Sequence, residues 1–471
     1  MEKQRSGGVL MPIFALPGEY SVGSFGAGAY AFADQLARGG FRYWQVLPFC
    51  LTDECHSPYK SHSSFSLNPW FVDIGILAAK GLLSEEERIS ALQRVDYTCE
   101  YDREEERMAL LLKAANRAAE RAELRKRAEE TMEKIPFLAE FCTYMAKREG
   151  EDRLWFWQFA ESEALAQWME LKSYANARGI EIIGDLPIYV SAESSELAYH
   201  KEWFLLDEEG HPSAVAGVPP DYFCREGQLW GNPLYTFARM EEDGFAFWKA
   251  RVGYMLTLFD GLRIDHFRGL SAFWAVPAGA ESAMEGAWMR APGKALIDAI
   301  RPLTEGRLVI AEDLGNITED VVELVRYSGF PGMRVLQFGF LSDTDRLHLP
   351  HFYEENTVAY TGTHDNNTLL GFMFALPDPL RRRALAYIGR EGEDFNTAAV
   401  YGAMMRALLS SVAKTVIFPM QDLVLFGEDT RFNTPGRSDG NWSFRFSRAQ
   451  CENAPWEKMR EMLRLYNRER S

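Results

Sequence analysis

The chain has 471 residues, 47% hydrophobic and 25% charged, an ordinary globular balance with enough length for one large barrel or two to three domains. Its 51 basic and 68 acidic residues leave a formal charge of -17, which argues against nucleic acid or an anionic membrane as partner, since both are held mainly through Lys and Arg. No stretch approaches the roughly 18 apolar residues of a membrane span. The six cysteines lack a CxxC pair, and no second ligand pair accompanies Cys50 and Cys55, so the thiols read as reduced ones in a cytoplasmic protein with no metal centre. Pro12 and Pro17 interrupt the apolar stretch near the start, which therefore does not read as a signal segment.

In chain order, strand-like apolar runs occur at 8–14, 43–49, 180–190, 261–267, 308–315, 333–340, 358–365 and 416–422. Each is nearly continuous in apolar residues, as a strand buried on both faces must be, and helix-length segments separate most of them. Eight such runs predict an α/β protein, a single (β/α)8 TIM barrel over 1–471, where fewer would have favoured an open doubly wound sheet. Between the second and third runs, residues 75–178 are dominated by Glu, Arg, Lys, Ala and Leu, which predicts a mainly helical insertion with a solvated charged face. After the third run, 191–250 contains "VAGVPPDYFCREGQLWGNPLY", whose length, Gly, Pro and aromatics predict a lid-bearing insertion rather than a disordered linker.

Acids stand at the carboxyl ends of these runs: Asp185, Asp265, Glu312, Asp365 and Asp422. In a barrel that edge carries the active site. "GLRIDHFRGL" places Arg263, Asp265, His266 and Arg268 within six positions, although a polar group left without a partner in a core costs roughly 1–3 kcal/mol. Arg263 and Asp265, two apart, share one face of a strand. Asp265, Glu312 and Asp365 together suit glycosidic-bond chemistry, in which one carboxylate attacks or stabilises the oxocarbenium-like centre and another, held protonated, gives its proton to the leaving oxygen. Arg263 favours the ionised form that a nucleophilic Asp265 needs. The apolar setting of Glu312 in "LVIAEDLG" favours an acid with a raised pKa, and Asp313 next to it points to the opposite side as a structural group. His266, His364 and Arg268 are candidate donors to sugar hydroxyls. Trp44, Tyr59, Trp70, Tyr222, Phe223 and Trp230, in or beside mouth loops, are candidate surfaces for sugar rings. The chain has no G-x-G-x-x-G, P-loop or H-E-x-x-H motif, which argues against nucleotide and zinc-protease chemistry, and no cofactor is expected.

Seven blocks, "SPYKSHSSFSLNPW", "IIGDLPIYV", "VAGVPPDYFCREGQLWGNPLY", "GLRIDHFRGL", "VIAEDLG", "YTGTHDNNT" and "FNTPGRSDGNW", run in order from residue 57 to 442. Together they resemble the amylomaltases or disproportionating enzymes, the 4-α-glucanotransferases of glycoside hydrolase family seventy-seven. The resemblance implies retaining transfer of α-1,4-glucan segments on a (β/α)8 barrel through a covalent glycosyl-aspartate. It places Asp265 on the family's nucleophile, Glu312 on its acid/base and Asp365 on its transition-state stabiliser. Arg263 and His364 match residues that bind the reacting sugar, Tyr59 an aromatic platform, Asp221, Tyr222 and Phe223 a mobile covering loop, and Asn433 and Pro435 a loop across the cleft. Asp185, Trp230 and His266 are further expected substrate contacts. The implied partners are α-1,4-glucans (maltooligosaccharides, amylose, glycogen-derived chains) and glucose, with the protein a monomer or homodimer. Lys60 stands where the family usually has Gln, and "SAES" at 191–194 where it has "AHDS". Two rivals remain at this point: an amylase-type hydrolase using the same acids, and a catalytically silent carbohydrate-binding protein.

Overall fold

The computed structural model describes residues 5–220, 226–341, 346–437 and 439–470. Among the described residues twelve strands are formed: β1 (Ser6–Leu10), β2 (Tyr43–Gln45), β3 (Glu181–Leu186), β4 (Ala214–Val218), β5 (Gln228–Pro233), β6 (Gly261–Ile264), β7 (Ala272–Pro277), β8 (Ala287–Arg290), β9 (Leu308–Ala311), β10 (Gly332–Val335), β11 (Thr357–Tyr360) and β12 (Thr415–Pro419). Eight of them close a parallel barrel in the order β1-β2-β3-β6-β9-β10-β11-β12, with β12 returning to β1. Its strands are the eight apolar runs, and the (β/α)8 class holds.

The strands are shorter than the runs that announced them. "MRVLQFGF" divides into β10 and a 3-10 turn at Leu336–Phe340, and "VIFPMQD" into β12 and a short helix at Met420–Val424. Continuous apolar character reports burial, and a buried turn meets that condition as well as a strand does. Asp422 consequently lies inside that helix, fully buried, accepting hydrogen bonds from the Thr361 hydroxyl and the Leu369 N–H, and burial pushes its carboxyl up to about 6. It secures the start of the helix Leu369–Ala375, earlier in the chain, instead of joining the other acids.

Between β2 and β3 the chain forms helices Ile74–Ala79, Glu85–Ser90, Glu104–Ala118, Ala122–Lys134, Pro136–Glu149 and Leu154–Ala177. The last is apolar around most of its circumference because it is the hub: it packs on the three helices before it and on Ala27–Arg38 of the barrel wall. Its buried Glu163 is neutralised by Lys80 and Arg127. Among the described residues no helix is long and apolar enough to cross a membrane.

The remaining strands form an antiparallel sheet in the order β5-β4-β7-β8, built from the connections that follow β3 and β6. In β3, Gly184 is required by packing, since a Cβ there would lie 2.2 Å from the Phe259 ring. Two of the candidate platforms belong to the core. Trp44 is fully buried with its indole N–H on the Met11 carbonyl at 2.8 Å, and Trp70 is buried against Tyr101. Their aromatic bulk fills the interior, which takes large apolar side chains wherever the strand alternation points them inward.

Candidate active site

The barrel mouth gathers polar side chains from six chain segments. Arg263, next to last in β6, is buried at the centre. Its Nη1 lies 2.9 Å from both oxygens of Asp185 at the end of β3 and 2.9 Å from Oδ1 of Asp265, while Nη2 is 3.9 Å from Oε2 of Glu312. Burial lowers the pKa of the guanidinium, but Asp185, Asp265, Tyr59 and Glu312 around it outweigh this and hold it well above the usual value. β6 ends at Ile264, so Asp265 meets Arg263 from the turn just beyond the strand and not as a strand neighbour.

Glu312, one residue past β9, is enclosed by protein. Its Oε2 accepts the His266 N–H at 2.7 Å and its Oε1 the Leu314 N–H at 3.0 Å. Burial raises its pKa and the charge of Asp265 raises it further. Arg263 and the two backbone donors oppose this, and the group settles at about 8. At neutral pH this carboxyl carries a proton. His266 itself adopts left-handed backbone, φ 49, uncommon for a residue other than glycine. The imidazole of His266 packs edge-on against Trp230 at 4.8 Å, and burial, reinforced by Arg268 and Arg263, brings its pKa down to about 4 despite Asp265. The ring is neutral.

On the opposite side, Tyr59 donates its hydroxyl to Asp185 Oδ2 at 2.7 Å and meets Nε2 of His364 at 2.9 Å. A phenol has one proton, so Nε2 of His364 is the donor in the second contact. The same Nε2 lies 3.2 Å from Oδ2 of Asp365, whose Oδ1 accepts the Asn433 amide at 2.6 Å. Burial works against ionising Asp365, but the His364 ring, the hydrogen bonds from His364 and Asn433, and Arg263 outweigh it and hold this carboxyl well below the usual range. One chain of contacts therefore runs from Glu312 through Arg263, Asp185, Tyr59 and His364 to Asp365.

Other candidates lie elsewhere. Arg268 points away from the mouth: its guanidinium donates to the Asn316 carbonyl and covers the ring of Trp288 at 3.8 Å, so it is no sugar donor at this centre. Strand alternation counted from Arg263 already puts position 268 on the opposite face, and a 3-10 turn at Phe267–Leu270 carries it there. Pro435 is exposed, two residues beyond Asn433. Asp221, Tyr222 and Phe223 lie outside the described residues. Asp313 pairs with Arg334 at 3.0 Å and accepts the Met333 N–H, a structural tie. Lys60 is open to solvent, and Ser194 of the divergent "SAES" accepts the Leu197 N–H as a helix cap.

Sequence reasoning missed two supports. Trp442, with φ 60, packs its buried indole about equally against Tyr59 (6.0 Å) and His364 (5.9 Å). Arg431 donates to the carbonyls of Asp365 and Asn433, joining the loop after β12 to the end of β11. Trp442 stands in the block "FNTPGRSDGNW", which was the available signal. Arg431 lies just before that block.

A sequence profile of the family described as 4-alpha-glucanotransferase matches residues 11–163 and 145–450. A 4-alpha-glucanotransferase of Streptococcus pneumoniae is 38% identical over 501 aligned positions, covering 99% of this chain and 98% of its own. The 4-alpha-glucanotransferase of Thermus thermophilus is 37% identical, covering 99% and 100%. Among solved structures, the amylomaltase from Streptococcus agalactiae in complex with acarbose superposes with a TM-score of 0.93 at 33% identity, covering 99% of this chain and 100% of its own.

Proposed function

This chain belongs to the 4-alpha-glucanotransferase family and is an enzyme of that activity, and on this footing we propose that it transfers α-1,4-glucan segments by a retaining, two-step route at the mouth described above. Asp265 attacks the anomeric carbon while Glu312 gives its proton to the departing 4-oxygen. The C1–O4 bond breaks, the reducing-end fragment leaves and a β-linked glycosyl-Asp265 ester forms. Glu312, now ionised, takes the proton of an acceptor's 4-hydroxyl, which attacks the same carbon and frees Asp265. Two inversions restore the α-configuration. Asp365, kept anionic by His364 and Asn433, stabilises the positive charge that develops on the sugar ring. Tyr59 and Arg263 hold this constellation and line the pocket of the reacting sugar.

The observation that carries the assignment is the pair of acids flanking Arg263: Asp265, in direct contact with the guanidinium, and Glu312, buried and protonated up to about pH 8. A carboxyl held protonated next to a second one in contact with a guanidinium supports the roles of acid and nucleophile. The Streptococcus agalactiae relative is solved with acarbose, which supports α-glucan chains as the ligands of the same mouth here. Incubation with maltotriose tests the proposal. It predicts glucose together with a ladder of longer maltooligosaccharides, and neither product from Asp265→Asn or Glu312→Gln. Reducing sugar that rises steadily with no longer chains would mean that water is the acceptor and overturn the transfer step.

A further inference from the structure

All four residues of β8 are exposed, and β8 is the outer strand of the antiparallel sheet. On one face of that sheet Leu229, Gly217, Trp274 and Trp288 stand opposite one another across four strands. Trp288 is 40% exposed, yet it is not loose. The Arg268 guanidinium lies 3.8 Å over its ring, and Trp274 meets it at 5.2 Å with the planes 68° apart. Arg268 is tied to the Asn316 carbonyl and, at 3.5 Å, to the Thr318 hydroxyl. Trp274 is tied by its indole N–H to the Ala283 carbonyl at 2.8 Å, and Gly286 packs so closely on it that a Cβ would come within 2.2 Å of the indole nitrogen.

An indole locked by its neighbours but open to solvent has the properties a sugar platform needs. It offers a flat apolar surface to the C–H face of a glucose unit, and little side-chain entropy remains to be lost on binding. Its position is equally pointed. Arg268 is three residues past Asp265 and Asn316 four past Glu312, so Trp288 is anchored to the two turns that carry these acids.

We propose that Trp288 is a distal platform for long α-1,4-glucan chains, separate from the catalytic cleft and used only by substrates long enough to reach it. The proposal rests on the α-glucan reading of the mouth. Its test compares Trp288→Ala and Trp288→Phe with the parent on maltotriose and on amylose. For Trp288→Ala, kcat/KM on amylose should fall about tenfold, the scale of one aromatic contact, while maltotriose turnover stays within about twofold and shows the fold intact. Trp288→Phe, which keeps a flat ring, should recover most of the loss. Amylose and maltotriose falling together, or neither falling, would overturn the platform and leave the exposed row to another role, such as docking a protein. Failure of the parent on both substrates would instead overturn the α-glucan reading.

Discussion

Raising the pH should disarm Glu312 and destabilise the fold through the same proton. A carboxyl moved from its ordinary 4.5 to about 8 by burial makes ionisation in the folded protein costlier by on the order of 5 kcal/mol, at 1.36 kcal/mol per pH unit. The sign follows from which state holds the proton. Below about pH 4.5 folded and unfolded chains both hold it and there is no penalty. Between about 4.5 and 8 the unfolded chain releases a proton that the folded one keeps, so stability falls as pH rises, and above about 8 the loss is complete. Glu312→Gln cannot ionise and escapes this loss. Its stability relative to the parent, read from urea denaturation at about pH 5 and about pH 9, should therefore improve by several kcal/mol across that interval. Other titrating groups act on both proteins alike and cancel in the difference. In parallel, the parent's kcat/KM on maltotriose should fall tenfold per pH unit above about 8 as the acid form disappears. A difference between variant and parent that does not change with pH, or an alkaline limb starting below about pH 6, would refute the buried-acid reasoning.

Asn433→Ala removes a 2.6 Å hydrogen bond to Asp365. A bond to a charged group is worth roughly 1.5–3 kcal/mol, so kcat in maltotriose disproportionation should drop about 10- to 100-fold with a smaller change in KM. Tyr59→Phe keeps the ring but deletes the hydroxyl joining Asp185 to His364, and steady-state kinetics should show a loss of about fivefold, from a net hydrogen-bond contribution near 1 kcal/mol. Arg468 is buried with its guanidinium shared among the carbonyls of Leu409, Ser411, Ala413, Lys414 and Ser6, where β12 meets β1. Arg468→Ala should cost at least about 3 kcal/mol in urea denaturation, with activity at ambient temperature retained by the folded fraction.

The barrel was legible because a strand covered on both faces must be apolar throughout, and eight such runs could be counted directly. The positions of Asp265, Glu312 and Asp365 were legible for a complementary reason: a core gives no return for acids at strand ends. Ambiguity began where one residue type serves two purposes. Trp44 and Trp70 carry the same side chain as Trp230 but lie in the core, and Asp422 ends a run as Asp265 does but secures a helix. Arg268 looked like a fourth mouth residue, but in the 3-10 turn after β6 it lays its guanidinium over Trp288 instead.

By itself the sequence determined the fold class, the order of the blocks and the acids available, since these depend on residue type and spacing along one chain. The apolar setting of Glu312 pointed to the acid that keeps its proton, but tertiary structure alone decided how firmly it does so. That depends on how completely Glu312 is enclosed, on backbone donors from His266 and Leu314 that leave no side-chain trace, and on Arg263 reaching Asp185, Asp265 and Glu312 from three strand ends. Electrostatic free energies follow distance and solvent access in space, and neither can be read from positions separated by up to 127 residues in the chain, the interval from Asp185 to Glu312.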